Sequence, residues 1–266
     1  MKTIRLDSQE GCRCTLFPDN QPHVNVACQE GEDVTVIAPL RSSLDLIQLM
    51  ELSNALDGVF GKKRVLKIPY LMGARSDRRM LAGDSADLKV VADMVNYCDF
   101  QRVVLFDVHS DTALQLINNS TNVTNEALVK AYTSLDSVLI CPDAGASKKV
   151  GKYLEWNQDI KDVVFCTKVR DLANMGILKL QVLNASLTAG RDCVIIDDLC
   201  DGGATFVAIA SQLPNPARLT LVVSHGVFSK GFHELEKWFD EIITTDSYSL
   251  NNESAITTVL STEGIM

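Results

Sequence analysis

The chain has 266 residues, enough for two modest domains or one large one, and its 46% apolar and 22% charged content is that of a folded globular protein, not of a disordered or collagen-like one. A net charge of 25 − 34 = −9, with no run of Lys or Arg, excludes nucleic acid and anionic membrane as partners of the overall field, while leaving a few local cations able to hold phosphate. No stretch approaches the roughly 18 apolar residues of a membrane span, and the polar start at residues 1–11 lacks the apolar core of a signal peptide, so a cytoplasmic protein is expected.

In chain order, short apolar runs at Val34–Ala38, Val65–Leu71, Val103–Val108, Val138–Cys141, Val163–Thr167, Val194–Ile196, Leu219–Val223 and Ile242–Thr245 predict strands covered on both faces. Between them, Leu44–Leu56, Leu88–Tyr97, Ser147–Leu154, Phe206–Leu213 and Phe232–Phe239 carry apolar residues three and four apart and predict helices. Alternation of strand and helix predicts an α/β fold with mainly parallel sheets flanked by helices. Two acid-tipped strands, Val103-Val-Leu-Phe-Asp107-Val-His109 and Val194-Ile-Ile-Asp197-Asp198, lie 197 − 107 = 90 residues apart, and a boundary beyond the polar stretch 118–126 divides the chain into domains 1–133 and 134–266. The cysteines Cys12, Cys14, Cys28, Cys98, Cys141, Cys166, Cys193 and Cys200 mostly sit in or beside apolar runs and read as reduced core residues.

The strongest local signal is Val194-Ile-Ile-Asp197-Asp198-Leu-Cys-Asp201-Gly202-Gly203-Ala204-Thr205. A buried strand delivers adjacent acids suited to sugar hydroxyls or a hydrated metal. A glycine pair then lets backbone approach a phosphate, and Thr205 opens a helix. Burying even one such acid is costly unless it is paired, so a merely structural cap explains the cluster poorly. Arg75, Arg78 and Arg79 concentrate positive charge as a polyphosphate requires, although a solvated basic face gives the same spacing. Strand alternation places Asp107 and His109 on one face, and Lys168 and Arg170 on one face.

The segment 197–205 resembles the phosphoribosyl pyrophosphate (PRPP) loop of type I phosphoribosyltransferases, and further segments narrow the resemblance to the ribose-phosphate pyrophosphokinases (PRPP synthetases). Pro69-Tyr70-Leu-Met-Gly-Ala-Arg75-Ser76-Asp77-Arg-Arg resembles that family's ATP segment, Phe106-Asp107-Val108-His109 its metal-site histidine, and Pro142-Asp143-Ala-Gly-Ala146 its Pro-Asp-x-Gly-Gly. Thr167-Lys168-Val169-Arg170 resembles its catalytic Lys-x-Arg, and Phe17-Pro-Asp19-Asn20-Gln21 its adenine motif, which acts across a subunit interface. The resemblance runs from about residue 12 to 245 and implies two tandem phosphoribosyltransferase-like domains in a divergent, shortened member.

It also implies roles. Phe17, Asp19, Gln21, Arg75, Ser76, Asp77 and His109 would bind ATP. His109 and Asp143 would hold Mg²⁺, and Lys168 and Arg170 would be catalytic. Asp143, Asp197, Asp198, Asp201, Gly202, Gly203, Ala204 and Thr205 would bind the ribose phosphate. The expected activity is transfer of the pyrophosphoryl group of ATP to ribose 5-phosphate in a homo-oligomer with shared active sites. Gly202 stands where the family has Thr, Ala204 and Ala146 where it has Gly, and Asn20, Gln21 and Ser76 also depart from the pattern. The Gly202 change leaves open a 5′-substituted acceptor such as ADP-ribose, in NAD-related metabolism. A phosphoribosyltransferase that consumes PRPP is a further alternative, disfavoured by the Arg75 segment and the Lys168/Arg170 pair, and a non-catalytic regulatory subunit is another, disfavoured because those catalytic cations are present.

Overall fold

A computed structural model describes residues 2–27, 33–59, 64–134, 136–170, 177–249 and 254–266, with the side chains of Val169, Arg170, Ile177 and Leu178 outside the description. Cys28 falls outside it, and the other seven cysteines are free thiols, all buried except the half-buried Cys14. The chain divides into two compact units, residues 1–124 with 263–266, and residues 125–262.

The first unit contains β1 (Lys2–Arg5), β2 (Cys12–Leu16), β3 (Pro22–Val26), β4 (Val34–Ile37), α1 (Ser43–Asp57), β5 (Arg64–Ile68), α2 (Asp87–Tyr97), β6 (Arg102–Phe106), α3 (Thr112–Leu116) and β7 (Ser120–Val123). Its main sheet is wholly parallel in the order β1-β4-β5-β6-β7, while β2 and β3 form a separate antiparallel hairpin. Val34, Val36, Leu66, Ile68, Val103 and Leu105 bury the sheet against Leu49, Leu52 and Leu56 of α1 and Leu88, Val91 and Val95 of α2. Helix α1 starts where the Ser42 hydroxyl accepts the Asp45 N–H and the Asp45 carboxylate accepts the Ser42 N–H, a reciprocal cap.

The second unit contains α4 (Glu126–Tyr132), β8 (Val138–Cys141), α5 (Ser147–Trp156), β9 (Asp162–Arg170), β10 (Ile177–Val182), β11 (Asp192–Cys200), α6 (Ala204–Ala210), β12 (Arg218–Gly226), β13 (Glu241–Thr245) and β14 (Thr257–Leu260). Its sheet runs β10-β9-β8-β11-β12-β13-β14, parallel except for the β9–β10 pair. From β8 the chain lays β9 on one side and β11 on the other. This reversal of winding separates the crossovers at the carboxyl ends of β8 and β11 and opens a crevice between them.

Three local expectations are corrected. Segment 232–239 forms successive turns instead of a helix: it follows the left-handed Gly231, and its hydrogen bonds mix spacings of three and four residues, Trp238 N–H to Leu235 O and Phe239 N–H to Leu235 O. Its apolar spacing still serves burial, through Leu235 and Phe239. Helix α6 begins at Ala204, one residue before Thr205, with Gly203 as its cap at φ 77°. Strand β6 ends at Phe106, and Asp107 turns into the left-handed region at φ 36°. Alternation therefore stops there, and Asp107 is buried while His109 is exposed.

Candidate functional site

Groups predicted to bind the sugar phosphate converge with the predicted catalytic Lys168 at the switch point of the second unit. Asp143 follows β8, Lys168 lies near the end of the neighbouring β9, and Asp197 and Asp198 lie near the end of β11. The Lys168 ammonium stands 2.6 Å from Asp143 Oδ2, and Asp143 Oδ1 accepts the Ala146 N–H at 3.0 Å. Burial alone would raise the Asp143 carboxyl. Lys168 and the backbone N–H groups of Ala146 and Gly145 outweigh that and hold it below the usual carboxylate range. Asp197 moves the other way: burial is the largest cause, the neighbouring Asp198 adds to it, and Lys149 only partly opposes it.

Lys149 is a member of this cluster that sequence reasoning missed. It projects from α5, and its ammonium lies 3.4 Å from Asp198 Oδ1. Only the polar first turn of α5 beside Pro142-Asp143 hinted at it. Arg170 ends β9, and its side chain lies outside the described residues.

Beyond β11, Asp201 and Gly202 are half-buried and Gly203 is buried. Gly203 is required twice over, by its left-handed backbone and because a Cβ would lie 3.0 Å from Leu235 Cδ2. Gly202 has no left-handed φ, so its backbone would accept other residues. A Cβ there would meet the stem of Lys230, 3.1 Å from Cδ and 3.2 Å from Cγ. The space opened by Gly202 is therefore lined by a lysine. Ala204 is exposed and Thr205 half-buried at the start of α6.

The first unit carries its predicted groups on loops. Residues 70–72 pair with Leu40: the Leu40 N–H donates to Tyr70 O at 2.8 Å, and the Met72 N–H donates to Leu40 O at 2.9 Å. Gly73 then turns at φ 76° against the start of α2, where a Cβ would lie 3.2 Å from Leu88 N. The Ser110 hydroxyl donates to Asp77 Oδ2 at 2.7 Å, which brings the Arg75-Ser76-Asp77 segment beside the His109 loop. Ser76 is half-buried, whereas Arg75, Arg78 and Arg79 are exposed, and Arg79 Nε donates to Asp84 O at 3.1 Å.

Phe17, Asp19 and Gln21 sit at the tip of the β2–β3 hairpin. Phe17 O accepts the Asn20 N–H at 2.9 Å, and Asp19 Oδ1 accepts the Gln21 N–H at 3.2 Å. Asn20 adopts φ 66°, a conformation that asparagine tolerates better than most residues, so Asn in place of Gly keeps the turn. Phe17 is 51% exposed, an open aromatic face.

Among the described residues no three His, Cys, Asp or Glu side chains gather as a cation cage. A nucleotide-bound magnesium takes only one or two carboxylates from protein, so Asp143 suits it as an oxygen donor. Among the described residues no helix is long and apolar enough to cross a membrane.

Two sheet-and-helix units, with acids ending a strand at a switch point and a glycine loop beyond them, define a phosphoribosyltransferase-like α/β protein. No family model matches the sequence. The chain is 30% identical over 243 residues to a ribose-phosphate pyrophosphokinase of Vibrio cholerae, covering 85% of this chain and 75% of that protein. It is 30% identical over 244 residues to one of Shewanella oneidensis, covering 84% and 73%. A phosphoribosylpyrophosphate synthetase from Mycobacterium smegmatis matches its fold with a TM-score of 0.82 over 95% of this chain and 86% of that one, at 20% identity. The chain belongs to the ribose-phosphate pyrophosphokinase family, a family of transferases.

Proposed function

We propose that the protein transfers the pyrophosphoryl group of ATP to the anomeric hydroxyl of ribose 5-phosphate, giving PRPP and AMP. The observation that carries this reading is the convergence of Asp143, Lys168, Lys149, Asp197 and Asp198 at one switch point, with both cations paired to carboxylates. The acceptor hydroxyl attacks the β-phosphorus as the bond to the α-phosphate oxygen breaks. Catalysis by this chain consists of positioning and charge stabilisation. Asp197 and Asp198 accept the ribose hydroxyls. Lys168 and Arg170 stabilise the charge that develops on the transferring group. Asp201, Gly202, Gly203, Ala204 and Thr205 cradle the 5′ end of the sugar.

Arg75, Ser76 and Asp77 hold the nucleotide, and Phe17, Asp19 and Gln21 flank its adenine. The exposed hairpin tip supports a role toward another copy of the chain, in a homo-oligomer. Asp143 and His109 are the side chains that would accompany Mg²⁺, which when bound neutralises phosphate charge. The space at Gly202 that would suit ADP-ribose is lined by Lys230, so ribose 5-phosphate is the acceptor proposed.

The test is incubation with ATP, Mg²⁺ and either ribose 5-phosphate or ADP-ribose, following nucleotide products by chromatography. AMP is expected with ribose 5-phosphate. ADP as the product would refute pyrophosphoryl transfer, and AMP with ADP-ribose alone would replace the acceptor. For the shared site, mixing an inactive Phe17→Ala, Asp19→Ala variant with an inactive Lys168→Ala variant should restore activity in hybrid oligomers. Full activity in a sedimenting monomer would refute it.

A further inference from the structure

Lys230 lies outside every motif singled out in the sequence, yet the turn that carries it is fastened to the sugar-phosphate loop. The N–H groups of Val227 and Phe228 both donate to Cys200 O, at 2.9 and 3.2 Å. The Ser229 N–H donates to Asp201 O at 3.1 Å, and its hydroxyl to Asp201 Oδ1 at 2.6 Å. The backbone pays for this arrangement: Phe228 is a bulky residue at φ 46°, a conformation that such residues rarely adopt and that persists only where its surroundings enforce it.

The result is a lysine whose stem lies over Gly202, with Cγ, Cδ and Cε 3.2, 3.1 and 3.4 Å from where a Cβ would be. Lys230 is exposed and makes no hydrogen bond or ion pair among the described residues. The Asp201 carboxylate of the loop accepts the Ser229 hydroxyl. In a chain of net charge −9, an unengaged cation fixed beside a glycine loop is a selective feature for an anion.

We propose that Lys230 is the specificity-determining residue for the terminal phosphate of the acceptor, its ammonium supplying the grip that a side chain at position 202 does not. The proposal rests on the acceptor reading above. A sugar whose hydroxyls are held by Asp197 and Asp198 projects its 5′ end toward residues 201–205, where Lys230 meets a phosphate monoester. Gly202 is then glycine so that the lysine can lie across it. The competing view is a surface lysine that merely rests its stem on apolar backbone.

The test measures ribose 5-phosphate and ribose, as calorimetric Kd without ATP and as KM with ATP, for wild type, Lys230→Met, Lys230→Arg and Gly202→Ala. Loss of one charged hydrogen bond is about tenfold or more in affinity. Lys230→Met should therefore weaken ribose 5-phosphate by about tenfold or more, leave ribose unchanged, and be largely rescued by Lys230→Arg. Gly202→Ala, whose added methyl displaces the stem, should also weaken ribose 5-phosphate, but should add little in a Lys230→Met background. Lys230→Met binding ribose 5-phosphate as wild type does, or fully additive effects of the two substitutions, would overturn the proposal. Lys230-dependent binding without AMP release would refute the transfer reading while supporting this one. AMP release with an unchanged KM in Lys230→Met would do the reverse, and no binding of ribose 5-phosphate by wild type would overturn both.

Discussion

The two sheets differ in how they wind, and with that in how they hold chemistry. In the first unit the strand order β1-β4-β5-β6-β7 advances in one direction, whereas in the second the order reverses at β8. The acid-tipped strands β6 and β11 show the consequence. β11 lies between β8 and a long β12, and its pairing with β12 continues past Asp197 to Leu199↔His225 and Cys200↔Gly226. Its acids are therefore set by sheet geometry. β6 ends at Phe106 together with its neighbours, which stop at Ile68 and Val123, so Asp107 turns left-handed and His109 is passed to a loop. The same pattern of apolar run and acid thus gives a sheet-built site in one unit and loop-borne groups in the other.

The largest expected effect tests that contrast directly. Lys168→Ala should lower kcat by about 100-fold or more, because stabilising transition-state charge from a fixed position is worth roughly 3–4 kcal/mol. Arg75→Ala, on an exposed loop, should mainly raise KM for ATP. Steady-state kinetics with both substrates varied would decide, and an equal fall in kcat for the two variants would break the contrast between sheet-built and loop-borne groups.

A smaller effect concerns the end of β6. The left-handed conformation costs a residue with a Cβ roughly 1–2 kcal/mol and spares Asn and Asp most of it. Asp107→Val should therefore destabilise the protein by at least about that amount in urea unfolding, while Asp107→Asn should stay close to wild type. Equal losses would mean that the charge, and not the backbone, determines the residue at position 107.

The contrast also marks what was legible in the chain. Buried strands announce themselves because both faces are apolar, as at Val138–Cys141 and Leu219–Val223. Strand β7, Ser120–Val123, is the polar sequence Ser-Thr-Asn-Val at a sheet edge, and it lies in the stretch 118–126 that its polarity marks as no strand. The acids of β11, Asp143 and Lys168 were legible as site residues because their strands are apolar and their chemistry is not. Lys149 and Lys230 were not, since surface-type lysines on a helix and a turn acquire meaning only from what they touch: the Asp198 carboxylate for one, the bare Gly202 for the other. Alternation puts His109 on the face of Asp107 only if the strand runs on to it, whereas β6 stops three residues earlier at Phe106, a length set by neighbouring strands and not by local sequence.

The smallest expected effect is the pH dependence of stability, and it sharpens the view of the switch point as a region of opposed carboxyls. Asp197 is raised above its ordinary value, first by burial and then by Asp198. At a pH below the ordinary carboxyl range of about 4, Asp197 is protonated in both folded and unfolded chains and contributes no difference. As pH rises through that range the unfolded chain releases the proton while the folded chain keeps it. The unfolded state then binds fewer protons, and stability falls with rising pH until the folded group ionises as well. Asp143 acts in the opposite sense and in a lower window. Its folded value is held down by Lys168 and two backbone N–H groups against the effect of burial, so its contribution is complete above the ordinary range and is lost as pH falls through the lowered value. Asp197→Asn should therefore melt higher than wild type at neutral pH, with the gap closing toward pH 4. Asp143→Asn should melt lower at neutral pH and approach wild type only in more acid solution. Thermal melts of the metal-free protein across that range would check both. A gap for Asp197→Asn that stays constant with pH would mean that Asp197 ionises normally and that the acids of β11 sit in a wetter site than the geometry indicates.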